Sequence, residues 1–363
     1  MDYTLDPNYF SRDSLEKYTQ SRMLYQVSDG GWYNEKIMKL KKILVTGGAG
    51  FIGSHLVDRL VKNKYEVLVL DDFSGGSIGN INKQAKWENV DLKNSILTKS
   101  AIDKFKPEIV FHLAANAAEN KAQFSPIDIT SRNWNTFINT LVPFINNRGR
   151  RFIFTSSIAV YGALQTPFAE SDRPEPEDLY GISKLACEQS LKIMSQVHGF
   201  EYVCARPHNV YGPRQNTSDP YRNVVTIWMN SKLKDKPYYI YGDGEQRRCF
   251  SYIDDVADAL YKCGFKDVAG KTFNIGADKD YSLNELSDII GGGKIYLPKR
   301  PQEVKEAIAD HKEAKKHLAY NDKTSLKEGI KKTWEWVKTH GYQEPQFTEL
   351  EIVSEKVPRN WRV

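Results

Sequence analysis

The sequence has few cysteines and pairs none of them. Cys187, Cys204, Cys249 and Cys263 are scattered, with no C-x-x-C spacing. That excludes a disulfide framework and a cysteine-built zinc site, and it suits reduced thiols in a cytoplasmic protein. No apolar run approaches the ~18 residues that a membrane span needs. The N-terminus, MDYTLDPNYF, is acidic and aromatic, so it lacks the basic-then-apolar order of a signal peptide. Excess charge of one sign is also missing: 51 basic against 46 acidic residues leave a net +5. So mild a balance gives no footprint for nucleic acid and is compatible with an anionic small molecule. The sequence has no internal repeat, no low-complexity segment and no metal-ligand cluster. What it does have is core-forming material: 363 residues, 40% hydrophobic and 12% aromatic, enough for one large or two medium domains.

Residues 1–40 precede the first clear strand. Asp13 or Ser14 caps an expected helix running to about Gln26, and Asp29–Gly31 ends it. Tyr9, Phe10, Tyr25, Trp32 and Tyr33 argue for an arm packed on the main domain or on a partner subunit. Met38 begins MKLKKILVT, which reads like a natural start, so the extension is expected to be dispensable for chemistry.

From residue 41 the pattern is strand, glycines, helix, strand, acid. Lys42–Thr46 is a short apolar strand. Gly47, Gly50 and Gly53 follow in a G-x-x-G-x-x-G spacing, and Ser54–Lys62 reads as an amphipathic helix. Glycines let a backbone turn sharply and approach a pyrophosphate, whose charge sits at the helix N-terminus. The next strand, Tyr65–Leu70, ends in Asp71–Asp72. Asp71 is 18 residues past Gly53, close to the ~20 expected of a carboxylate that binds adenosine ribose hydroxyls. An acid there repels a 2′-phosphate, so the spacing predicts NAD over NADP. Asp91, after a short strand over Lys86–Val90, is placed to reach the adenine amine. Glu108–Leu113 is a further buried strand, and Ala114, Ala115 and Ala117 after it leave room for a ligand. A helix over Asn133–Ile145 and a strand over Arg151–Thr155 continue the alternation of a parallel, doubly wound α/β sheet.

The strand Arg151–Thr155 delivers Ser157, and a helix then begins near Tyr180. Tyr180 and Lys184 are four apart, so on a helix they share one face. A phenol with pKa ~10 must fall by roughly 3 units to act as a base near neutral pH. A lysine charge and a positive nicotinamide ring together supply such a shift. Beyond Tyr202–Arg206 the alternation loosens. Helices are expected over Tyr221–Asp235, Ser282–Ile290 (with an S-x-x-E capping box) and Ser325–His340, a strand over Phe273–Gly276, and no clear pattern over Gly341–Val363.

TGGAGFIGSH, DDFSGG, HLAA, SSIAVYG, YGISK, NVYGPRQ and GDGEQRR, in this order, resemble the extended short-chain dehydrogenase/reductase family, and within it the nucleotide-sugar epimerases, over residues 40 to 340. The resemblance implies a Rossmann domain over 41–206, with returns near 245–260 and 272–276. It also implies a smaller, interleaved α+β substrate lobe over 207–340 and a tail over 341–363. It implies bound NAD, a nucleoside-diphosphate-sugar substrate, no nucleic acid or membrane partner, and a homodimer built on helices of the NAD domain. Carried over, Gly47, Gly50, Phe51, Ile52 and Gly53 hold the pyrophosphate region. Asp71, Asp72 and Ser74 serve the adenosine ribose, and Asp91 and Leu92 the adenine. Leu113, Ala114, Ala115 and Pro207 border the cofactor. Lys184 also bonds the nicotinamide ribose, Tyr180 is the base, and Ser157 shares the reacting oxygen. Asn209 meets the sugar or its phosphate, and Arg248 and Arg300 grip the diphosphate and uridine end.

Four positions depart from the family pattern. Pro207–His208 replaces an aromatic pair, and His208 is either a proton donor or a hydrogen-bonded structural histidine. Cys249 stands where an acid commonly follows the arginine. Arg300–Glu303 lacks the usual glycine, and Ala117 replaces a residue often basic in galactose epimerases. Family dehydratases resemble T-D-E-V-Y-G at the strand end, where this chain has Ser157, Ile158 and Ala159. Decarboxylating relatives place a glutamate, and mannose 3,5-epimerase relatives a cysteine, at the position of Ala159. The expectation is therefore a plain redox cycle: NAD-dependent epimerisation, at C4 of a UDP-hexose. The alternative is a net nucleotide-sugar oxidoreductase, either a 4-keto reductase or a sugar dehydrogenase.

Overall fold

The computed structural model describes residues 42–300 and 304–361. The arm over 1–40 with its expected helix, and residues 301–303 of the basic loop, lie outside them. Seven parallel strands form the central sheet: β1 (Lys42–Thr46), β2 (Glu66–Asp71), β3 (Lys86–Asn89), β4 (Ile109–His112), β5 (Arg151–Thr155), β6 (Glu201–Pro207) and β7 (Lys271–Ile275). Their spatial order is β7-β6-β5-β4-β1-β2-β3. The order reverses between β1 and β4, which opens a crevice at the carboxyl ends of those strands, where ligands of such sheets sit.

Successive side chains of a strand point to opposite faces, so each central strand feeds two cores. Ile43, Val45, Val67, Val69, Ile109 and Phe111 face one cluster, shared with Trp228, Ile253 and Leu260. Leu44, Leu68, Leu70, Val110, Phe152 and Phe154 face the other, shared with Phe137, Leu141 and Leu191. Four helices matter for the site. They are α1 (Phe51–Lys62), α2 (Thr136–Asn146), α3 (Leu179–His198) and α4 (Ile253–Phe265). An ion pair of 2.8 Å from Arg59 to Asp258 ties α1 to α4.

The C-terminal lobe is built from short pieces. Arg247–Cys249 pairs antiparallel with Asp280–Ser282 and parallel with Glu306–Ala307. Tyr238–Tyr241 pairs with Lys294–Leu297. The capping box is present: the Ser282 hydroxyl accepts from the Glu285 N–H, and the Glu285 carboxylate accepts from the Ser282 N–H.

Three expectations shift. The first helix starts at Phe51 and not Ser54, because Gly50 already caps it. The helix expected from Asn133 is entered through a π-helical turn, Ser131–Asn135, before α2. The helix expected over Tyr221–Asp235 covers only Val224–Lys232. Arg222 is drawn to Asp219 at 2.7 Å, and the Tyr221 hydroxyl to the Thr348 carbonyl at 3.1 Å, so both residues stay in a loop. All four cysteines are buried and free. Among the described residues no helix is long and apolar enough to cross a membrane.

Candidate active site

The glycine turn is shaped by backbone contact. Gly47 takes φ +69°, and a Cβ on Gly53 would lie 2.2 Å from the Gly47 carbonyl oxygen. No side chain fits there, so α1 begins flush against the turn with its first N–H groups aimed into the crevice. The DDFSGG loop closes on the same turn: a Cβ on Gly76 would lie 2.6 Å from Ala49 backbone. Asp71 is held between them. Its Oδ2 accepts from the Ala49 N–H at 2.9 Å and its Oδ1 from the Phe73 N–H at 2.8 Å. Burial raises its pKa while those bonds pull it down. Each carboxylate oxygen keeps lone-pair capacity for a ribose hydroxyl. Asp72 is more engaged, with Ser74 on Oδ1 and Arg132 on Oδ2 at 3.2 Å.

The serine, tyrosine and lysine expected to react stand across the crevice. Ser157 ends the loop after β5 and caps a short 3₁₀ turn, accepting from the Ala159 N–H at 3.1 Å. Asp178 caps α3 through the Gly181 N–H at 2.7 Å, and that start puts Tyr180 and Lys184 on the buried face of the helix. The Lys184 ammonium donates to the Thr155 carbonyl at 2.8 Å and lies 5.8 Å from the Tyr180 ring centre. Burial lowers its pKa to about 8. Burial raises the Tyr180 phenol above its ordinary value, against the neighbouring Ser157 hydroxyl, which lowers it. Glu119 and Asp178 raise it further, and Arg222 lowers it. The downward shift expected of the phenol is thus not supplied by the protein's own groups. An oxidised nicotinamide, when bound at this site, would add a positive charge that lowers the phenol.

One cavity of ≈ 600 Å³ joins these parts. Every site residue expected from the sequence lines it, from Gly47, Gly50, Phe51, Ile52 and Gly53 through Asp71, Asp72, Ser74, Asp91, Leu92, Leu113, Ala114 and Ala115 to Ser157, Tyr180, Lys184, Pro207, Asn209, Arg248 and Arg300. Asn209 takes φ +43°, a conformation asparagine tolerates better than most residues. Arg248 donates to the Arg247 and Val304 carbonyls at 2.8 and 2.7 Å. Arg300 stacks its guanidinium 4.3 Å from the Tyr241 ring centre. His208 also lines the cavity. It is buried and its Nε2 is 2.8 Å from the Nε2 of His311, whose Nδ1 is 3.3 Å from Asp278. Burial holds both imidazoles below their ordinary pKa, and the contact fits the hydrogen-bonded structural role.

The fold fits a dinucleotide by its own features. A glycine cradle admits no Cβ, an anchored acid stands at the end of β2, and the Thr155 and Ser156 hydroxyls are buried at the cavity without a partner.

The sequence reading missed several lining residues: Glu119, Arg132, Asp178, and Pro345, Phe347, Asn360 and Trp361 of the tail. Asp178 had a legible signal as a helix cap; the tail had none. Burial and the neighbouring Glu119 push the Asp178 carboxyl up to about 7. A raised carboxyl favours folding while protonated, and that contribution is lost as pH rises through about 7. Asp178→Asn keeps a good cap without the buried charge. Its melting temperature at pH 8 is expected to exceed that of the parent by a few degrees, on the order of 1–2 kcal/mol, with the gain gone at pH 4. Equal gains at both pH values would show that the carboxylate carries no such cost.

The NAD dependent epimerase/dehydratase family model matches residues 43–276. A putative UDP-glucose 4-epimerase of Methanocaldococcus jannaschii is 37% identical over 313 residues, 82% of this chain and 99% of that protein. The structure of UDP-glucose 4-epimerase with UDP-glucose from Thermotoga maritima aligns with a TM-score of 0.78 at 34% identity, covering 82% of this chain and 99% of that one. That of UDP-glucuronic acid 4-epimerase from Bacillus cereus, in complex with UDP-glucuronic acid and NAD, aligns at 0.76 and 29% identity, covering 83% and 100%. With its glycine turn, acid, serine, tyrosine and lysine gathered in one cavity, and with this extent of match, the chain belongs to the NAD dependent epimerase/dehydratase family.

Proposed function

We propose that the chain is an NAD-dependent 4-epimerase of a UDP-hexose. The observation that carries it is the convergence of Ser157, Tyr180 and Lys184 on the same cavity as the glycine cradle and Asp71, with Ile158 and Ala159 where an eliminating or decarboxylating enzyme of the family needs acids. Residues 41–206 hold the cofactor and 207–340 the sugar nucleotide, with Asn209 at the sugar or its phosphate and Arg248 and Arg300 toward the diphosphate and uridine end. Gly47, Gly50 and Gly53 take the pyrophosphate, Asp71 the adenosine ribose, and Asp91 and Leu92 the adenine. When bound, NAD supplies a reversible hydride acceptor beside C4. Tyr180 takes the proton of the C4 hydroxyl, and Ser157 bonds the same oxygen. Lys184, fixed on the Thr155 carbonyl, bonds the nicotinamide ribose. The 4-keto sugar would turn in the cavity so that the opposite face of C4 takes the hydride back, and Tyr180 returns the proton to the same oxygen.

The protein acts as a cytoplasmic homodimer. Four buried reduced thiols support the compartment. Exposed apolar side chains on α2 (Val142) and α3 (Ile182, Ile193, Val197) support the dimer. The test is proton NMR of the purified chain with a panel of UDP-hexoses and no added NAD. One member is expected to yield its C4 epimer with no net NADH. Net production or consumption of NADH after cofactor is added, without epimer, would replace this reading with a nucleotide-sugar oxidoreductase.

A further inference from the structure

The tail after Leu326–His340 has one short 3₁₀ turn, Arg359–Trp361, and is otherwise irregular, yet it is closely held. The Asn230 amide donates to the Gln343 carbonyl at 2.6 Å, and the Gln343 N–H donates back to the Asn230 Oδ1 at 3.0 Å. The Gln346 N–H donates to the Ser218 carbonyl at 2.8 Å. Thr348 bonds the Tyr221 hydroxyl through both its N–H and its carbonyl, each at 3.1 Å. The Glu351 carboxylate accepts from the Ile127 and Asp128 N–H groups at 2.7 Å each. The Asn360 Oδ1 accepts from the Tyr241 hydroxyl at 2.9 Å. The tail thus crosses from the loop before Val224–Lys232 to the segment around Phe124, and then to the strand carrying Tyr241.

Its inner side faces the cavity through Pro345, Phe347, Asn360 and Trp361. Trp361 is buried, edge-on to the Tyr221 ring at 5.0 Å between centres. Val357 and Trp361 share one apolar cluster with Tyr221 and Tyr180. The reacting carbon must lie at Tyr180, so a wall in that cluster lies against the sugar and not the dinucleotide. Two aromatic rings, a proline and an amide match a pyranose, which offers C–H faces to rings and hydroxyls to an amide. Among the described residues of the tail, none that lines the cavity is basic. An ordered stretch of this length whose regular structure is one terminal 3₁₀ turn, Arg359–Trp361, is uncommon unless it carries function. The relatives reported above match 82–83% of this chain while matching 99–100% of themselves. A share of this chain therefore has no counterpart in them.

We propose that residues 343–361 form the wall of the cavity on which the sugar of the substrate rests, with Phe347, Asn360 and Trp361 as its sugar-contacting, specificity-determining residues. The proposal rests on the nucleotide-sugar reading above. Its test is titration calorimetry with UDP and with UDP-glucose, in a Tyr180→Phe background so that nothing turns over. Trp361→Ala, Asn360→Ala and a chain stopped after His340 are compared with the full chain, with melting temperature and NAD content recorded for each. The expected result is a loss of UDP-glucose affinity of about tenfold or more, with UDP affinity changed by less than about threefold. A pure brace would shift the melting temperature while leaving the ratio of the two affinities as it was, and that outcome overturns the proposal. If the shortened chain fails to fold, the two point variants carry the test alone. Failure of the full chain to bind UDP at all would instead remove the nucleotide-sugar reading, and this proposal with it.

Discussion

Tyr180→Phe is expected to lower kcat by about 10³-fold, within the 10²–10⁴ that a positioned acid–base group contributes. The ring stays where it is: Tyr180 is buried among Ala118, Ala122 and Tyr221, and only the hydroxyl is lost. The deletion removes the hydroxyl alone, so the melting temperature should move by a few degrees at most. KM and NAD content should hold within a few-fold, because neither binding surface changes. Epimer formation by NMR measures the loss, and calorimetry with UDP confirms that the site is intact. A variant keeping more than a tenth of the parental rate would show that another group takes the proton. Glu119 and Asp178 line the cavity and act on Tyr180, while the His208 imidazole on the same wall is committed to His311.

Gly53→Ala is the second large effect. Its Cβ would meet the Gly47 carbonyl oxygen at 2.2 Å, the Gly48 Cα at 2.8 Å and the Gly47 carbonyl carbon at 2.9 Å. All three are backbone atoms, so no side chain can swing aside. The turn itself must shift, and it is pinned: the Gly47 N–H bonds the Leu70 carbonyl at 2.9 Å. Overpacking of this kind costs about 1–3 kcal/mol. The larger consequence is for the dinucleotide, whose pyrophosphate needs the turn and the first N–H groups of α1 in register. The variant should purify without NAD and show no epimerisation until far more cofactor is added. Gly293→Ala is the control. Its nearest neighbours lie at 3.6 Å with ordinary φ, so NAD content and melting temperature should match the parent. Full NAD content in Gly53→Ala would show that the cradle tolerates a side chain and that the spacing of glycines is incidental.

Much of the site was legible because its signals are local. β1 and β5 run over the residues expected of them, Lys42–Thr46 and Arg151–Thr155, since a short apolar run between turn residues has few alternatives. The glycine spacing, the acid after β2 and the i, i+4 pair of Tyr180 and Lys184 are likewise set by neighbours in sequence. The Ser282–Glu285 capping box is too. Element ends were less legible. Phe51 joins α1 because Gly50 caps it from outside the amphipathic pattern. Tyr221 and Arg222 leave their expected helix because Thr348 and Asp219 hold them elsewhere.

The sequence by itself therefore determined the architecture of the cofactor half and the chemistry of its residues, because backbone conformation and side-chain periodicity are short-range properties. Tertiary structure alone decided the electrostatics and the closure of the site. The position of the Tyr180 phenol on the pH scale depends on burial and on Glu119, far away in sequence. Likewise, the partners of the tail are Phe124, Ile127, Ser218, Tyr221 and Tyr241, separated from it by roughly a hundred residues or more. A segment held mainly by long-range contacts, with local bonds in short turns such as Ser354–Val357 and Arg359–Trp361, has little periodicity to betray it.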